Sequence, residues 1–161
     1  APKWETSDYE LAKKFLNSYD PVTLETIKED IVQTYGGDQL AKILERPLDD
    51  QVHPYVAGVH EYESGSTDVG DVGYAAPTLN LNVSTCCIGN VGHTWQMTAQ
   101  AGSVLGHKGL LTAAKALALS TIRTMESPEV MEAAKAEFVA KTGGVYHCPL
   151  PDDVKPPVGR Y

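Results

Sequence analysis

The run from Lys108 to Met125 places the hardest demand on any fold for this chain. It is rich in alanine and leucine, contains no proline, and has a single glycine, Gly109, near its start. That composition favours helix, and its apolar side chains fall on almost every face instead of one stripe. A helix that is apolar all round needs cover. The sequence therefore predicts a long helix buried under other elements, with a β-sheet as the expected partner.

The remaining chain is read around that helix. Ser7 or Asp8 is placed to cap a first helix through Leu11, Phe15, Leu16 and Tyr19. Asp20-Pro21 breaks it and starts a second, with Val22, Ile27, Ile31 and Val32 at helical spacing and Gly36-Gly37 as its stop. Asp38 caps a short third turn through Leu40, Ile43 and Leu44, and residues 47 to 54 form a polar loop. Tyr55 to His60 reads as a strand. So does Pro77 to Cys87, where Leu79, Leu81, Val83 and Thr85 alternate with Asn80, Asn82, Ser84 and Cys86. Gly65 to Gly73 lies between them as a loop, and Gly89 to Gly92 as a turn. Ser127-Pro128 opens a last helix, with Glu129 and Glu132 near its positive end and Lys141 near its negative end, before Gly143-Gly144. A proline-rich tail follows from Pro149. This order predicts an α/β or α+β fold: a mixed β-sheet with the three opening helices on one face and the Ala-rich helix on the other. No repeat or linker divides the 161 residues, which read as a single unit.

Composition narrows the function classes. The chain carries 13 basic and 21 acidic residues, a net charge of −8, and no basic cluster, which argues against a nucleic-acid partner. No apolar run reaches the ~18–20 residues that span a bilayer, so a membrane partner is not expected. The start, Ala1-Pro2-Lys3-Trp4-Glu5, has no apolar signal core and no initiator Met, as a processed, clipped or recombinant start would. Three cysteines, Cys86, Cys87 and Cys148, make no disulfide framework and fit reduced thiols in a cytoplasmic protein.

Two loops hold residues suited to chemistry. The first, Gly65-Ser66-Thr67-Asp68-Val69-Gly70-Asp71-Val72, has two carboxylates three apart among glycines. They are suited to orienting a metal-bound histidine, and equally to capping a turn. The second, Gly92-His93-Thr94-Trp95-Gln96, follows the second predicted strand, where α/β proteins place ligands. A neutral imidazole at His93 is a natural metal ligand if others converge on it, and otherwise a structural hydrogen-bonder. Trp95 is placed to wall a pocket and Gln96 to bond a substrate carbonyl. His107 stands at a helix start, His53 and His60 flank the first predicted strand, and His147-Cys148 has no second pair at zinc-finger spacing. There is no HExxH, GxSxG, P-loop or GxGxxG, so nothing here completes an active site alone.

Taken together, several segments resemble the metallo-exopeptidase and amidohydrolase family M-twenty, nearest to its B-type aminobenzoyl-glutamate hydrolases. They are Pro2-Lys3-Trp4 with Asp8-Tyr9 and Ala12; the residues 65 to 72; Pro77-Thr78; Gly92-His93-Thr94-Trp95-Gln96; His107-Lys108-Gly109 running into Ala113-Ala114-Lys115; and Pro149-Leu150-Pro151 with Val154-Lys155-Pro156-Pro157. The resemblance implies the C-terminal portion of a catalytic domain, a mixed sheet between helices. It implies hydrolysis of an amide bond to an amino acid by water activated on paired divalent metals, zinc or manganese, with a small amino-acid amide or dipeptide-like substrate. His93 falls on the family's late metal ligand, with Asp68 and Asp71 beside the metals or the substrate. The early His/Asp ligands, the Glu-Glu region with its general base, and the lid that often dimerises are expected ahead of Ala1. The chain alone is thus expected to be inactive, to bind no metal by itself, to need the N-terminal half as its partner, and to self-associate as a homo-oligomer. The competing readings are a non-enzymatic remnant that assembles with a partner chain, and a small enzyme built on Cys86 or Cys148 with a histidine.

Overall fold

The computed structural model describes residues 1–56, 67–151, 153–155 and 158. Seven helices run through them: α1 (Thr6–Leu16), α2 (Pro21–Tyr35), α3 (Leu40–Glu45), α4 (Val69–Ala75), α5 (Trp95–Ala101), α6 (Val104–Glu126) and α7 (Pro128–Thr142). The chain forms two compact units. One is Ala1–Val59 with Leu81–Thr121; the other is His60–Asn80 with Ile122–Tyr161.

The mixed sheet expected from the sequence is not there: among the described residues there is no strand. Alternation makes a strand only when a neighbour supplies the ladder. Residues 77 to 85 run without regular structure, and the donors just after them are used elsewhere. Cys87 N–H donates to the Gln100 side chain at 2.8 Å, and Ile88 N–H to the Pro47 carbonyl at 2.8 Å. Tyr55 and Val56 are irregular too, and the rest of the first predicted strand lies outside the described residues. The loop predicted over 65 to 73 is corrected in part, since its second half is α4.

In the first unit the three opening helices form, but α1 stops at Leu16, short of Tyr19, and the cap residue of α3 is Gln39, not Asp38. Pro21 sits at the start of α2, and the Asp20 carboxylate caps it by accepting from Val22 and Thr23 N–H at 3.0 and 3.1 Å. The cap of α1 is Glu5, not Ser7 or Asp8. Asp8 occupies the third helical position, and its carboxylate accepts from Glu5 N–H at 2.8 Å, one half of a capping box. Asp8 is also buried, and it keeps its charge through Lys108, whose Nζ lies 2.5 Å from Oδ2. Burial pushes its carboxyl up, but the Glu5 amide and Lys108 outweigh this and hold it below the ordinary carboxylate range. Around this pair the core gathers Ala12, Leu16, Ile27, Ile31, Leu48, Cys87 and Leu105.

The irregular segment before Cys87 packs directly on α6. A Cβ at Gly109 would stand 2.5 Å from the Ser84 carbonyl oxygen and 2.5 Å from Thr85 Cγ2, and one at Gly106 would stand 2.3 Å from the Ala101 carbonyl oxygen. Gly109 therefore lets the segment cross α6 at close range, and Gly106 lets the end of α5 close on the start of α6. Beyond this crossing α6 is not buried as its composition predicts. Leu110, Leu111, Leu117, Leu119, Ile122 and Met125 are exposed.

In the second unit, α7 begins on Pro128 and ends on Gly143, whose φ of 78° is the left-handed stop that the Gly143-Gly144 pair predicts.

Candidate functional site

The loop between Cys87 and Thr94 carries His93. Its shape is set by contacts on both flanks. Gly89 has a φ of 81°, and a Cβ there would fall 2.3 Å from Ile27 Cγ2, so only glycine lets the loop lie against α2. Downstream, Thr94 caps α5: its hydroxyl donates to the Val91 carbonyl at 2.8 Å and accepts from Met97 N–H at 3.3 Å. Helix α5 has no counterpart in the sequence reading, although Thr94 followed by a glycine-free run was its signal.

His93 stands in this loop with a φ of 58°, the one non-glycine residue in left-handed backbone among those described. Its side chain is exposed. Left-handed backbone costs an L-residue roughly 1–2 kcal/mol, so the surroundings must enforce it. Strain of that kind at an exposed imidazole is a pointer to function.

Just ahead of His93 lies a hydrogen-bond network that the sequence did not reveal. Gln100 is fully buried. Its Oε1 accepts from Cys87 N–H, and its Nε2 donates to Asn90 Oδ1 at 2.7 Å and to the Gln96 carbonyl at 3.3 Å. Tyr19 Oη donates to the same Asn90 oxygen at 3.3 Å and accepts from Val91 N–H at 2.9 Å. The only signal for it was the spacing of Gln96 and Gln100, four apart on one helix face.

The other expected residues of this loop have definite places. Trp95 is 63% exposed and leans on Phe15, with ring centroids 6.4 Å apart. It borders an open groove of about 430 Å³ with Ser18, Asp20, Thr23 and Thr94. Gln96 is buried, and its Nε2 donates to the Ser18 carbonyl at 3.4 Å. Asp68 and Asp71 belong to the second unit. Both are exposed at the start of α4, Asp68 as its cap residue without a side-chain cap bond. Asp71 lies beside Tyr146, whose hydroxyl is pushed up by burial and then by Cys148 and Asp71.

No three His, Cys, Asp or Glu side chains among the described residues gather as a metal site. A divalent ion needs several such ligands. The Cys86 and Cys87 thiols are poor nucleophiles. Burial, with Cys86 second, pushes Cys87 up to about 12, and burial raises Cys86 as well. No described helix is long and apolar enough to cross a membrane.

No model of a known protein family matches the chain, and no solved structure matches it. A curated hydrolase does. The chain is similar to one of the subunits of p-aminobenzoyl-glutamate hydrolase from Escherichia coli (strain K12), 29% identical over 159 residues, which is 96% of this chain and 33% of that protein. The resemblance to an aminobenzoyl-glutamate hydrolase is thereby borne out, and the chain spans about a third of the length of the curated relative it matches.

Proposed function

We propose that the chain is a portion of a metal-dependent amidohydrolase that cleaves the amide bond of an aminobenzoyl-glutamate-like substrate, and that His93 contributes one metal ligand. The observation that carries this is the similarity to a hydrolase of that name along 96% of the chain. The strained, exposed backbone at His93 supports it. The site's remaining ligands come from polypeptide outside these 161 residues, since the relative is about three times longer.

A zinc or manganese ion held there would supply Lewis acidity toward the scissile carbonyl and an activated water. This chain's own part would be to present the His93 imidazole as one ligand. Trp95 offers an exposed aromatic face beside the groove for an aromatic acyl group. Gln96 ties the first turn of α5 to the Ser18 carbonyl, and its carbonyl-bonding role toward substrate requires the side chain to turn outward. Asp68 and Asp71 are proposed to act beside the metal or the substrate. The second subunit implied by the relative's name, and self-association of the chain, belong to the same proposal.

The test is metal content. The protein is purified with the polypeptides that accompany it in its source, and zinc and manganese are measured in wild type and His93→Ala. The proposal expects a bound divalent ion whose stoichiometry falls at least several-fold in the variant. Equal metal in both would remove His93 from the site.

A further inference from the structure

Gln100 and Tyr19, both buried, and the half-buried Asn90 direct three polar side chains onto one short loop. Their bonds end on Cys87 N–H, the Asn90 side chain and Val91 N–H. These points lie just ahead of His93, and Thr94 closes the far side by donating to the Val91 carbonyl. Tyr19 comes from the chain after α1, more than seventy residues away, and it too is buried. A loop needing only to turn could do so on Gly89 and Gly92. Fixing both flanks of a residue with positive φ demands more, because that conformation relaxes whenever the surroundings let it.

We propose that Gln100, acting through Asn90 and Tyr19, is the positioning residue that locks His93 in its left-handed conformation and so fixes the direction of its imidazole. This rests on the reading of His93 as a metal ligand. The chemistry is consistent with that role. Asn90 and Gln100 contribute amides, which carry no titratable proton. The glutamine amide also serves as donor and acceptor at once, which neither leucine nor glutamate can do at this position.

The experiment uses the 161-residue chain and compares wild type with Tyr19→Phe and Gln100→Leu. Tyr19→Phe is close to isosteric and decides the matter if Gln100→Leu does not fold. Amide hydrogen exchange is measured at residues 91 to 94 and at Ile27 and Ile31 in the core, together with the His93 χ1 populations from three-bond couplings. The expected result is exchange at least tenfold faster in the loop, less than twofold faster at Ile27 and Ile31, and a single His93 rotamer replaced by several. Equal acceleration at both places, or an unchanged loop, would overturn the proposal and leave the network a plain element of the core. In the source assembly the same substitution should weaken metal affinity at least fivefold at an unchanged thermal midpoint, and unchanged affinity also counts against it. The exchange measurement needs no metal. An assembly whose metal content ignores His93→Ala therefore sinks the ligand reading and leaves the positioning of the loop to be decided by exchange alone.

Discussion

Asp8 and Lys108 meet at 2.5 Å across one hundred residues of sequence, joining the first turn of α1 to the first turns of α6. The same carboxylate accepts from the Glu5 backbone, so one buried side chain both starts a helix and pins a second helix to it.

Asp8→Ala should therefore destabilise the first unit, by about 1–3 kcal/mol for the loss of charged hydrogen bonds, as read by urea denaturation. The pH dependence has a definite sign. The folded carboxyl binds its proton less readily than the unfolded one, so the stabilisation is complete above the ordinary carboxylate range. It is lost as pH falls through the lowered folded value. Asp8→Asn should flatten the acid limb of the stability curve below about pH 4, and an unaltered limb would contradict the assignment.

Glycines in two helices should respond with opposite signs. A methyl group at Gly109 meets the Ser84 carbonyl at 2.5 Å, whereas nothing lies within 4 Å of one at Gly70 or Gly73 in α4. Gly73→Ala should stabilise by about 0.5–1 kcal/mol through helix propensity. Gly109→Ala should cost about 1–3 kcal/mol, because the clash with fixed backbone exceeds that gain. Thermal midpoints of the two variants separate the outcomes.

Stability and function should part company at residue 93. His93→Gly removes the strain of a φ of 58° and should raise stability by about 0.5–1 kcal/mol. The same change should remove the proposed metal ligand. A destabilised His93→Gly protein would mean that the imidazole itself holds the loop.

The exposed leucines of α6 predict association. Leu110, Leu111, Leu117 and Leu119 leave a large apolar surface uncovered, which single soluble domains seldom tolerate. The isolated chain should bind a hydrophobic dye and self-associate at micromolar concentrations in sedimentation velocity. A monodisperse monomer that binds no dye would show these side chains to be covered.

Helices were legible in the sequence where their ends were marked. Asp20-Pro21 and Gly36, or Pro128 and Gly143, fix α2 and α7 through local chemistry alone. The sheet was misread because the alternation of Leu79, Leu81 and Val83 records only which residues would share a face. It does not record whether a partner strand exists, and here the adjoining Cys87 and Ile88 amides find other acceptors. That α6 is a helix was readable from composition, although it starts at Val104, ahead of Lys108; its cover was not, since an apolar residue does not name what buries it. At the candidate site His93 and its loop were visible as a motif. The Gln100, Asn90 and Tyr19 network was not, because it joins polar residues far apart in sequence whose burial only the fold reveals.

The most direct measurement is glutamate released from p-aminobenzoyl-glutamate by the protein in its source assembly, with zinc or manganese supplied, for wild type and His93→Ala. The account predicts metal-dependent hydrolysis that falls at least a hundredfold in the variant, and none from the 161-residue chain alone. Hydrolysis that proceeds equally with His93→Ala, or a wild-type assembly that releases no glutamate with either metal, would contradict it.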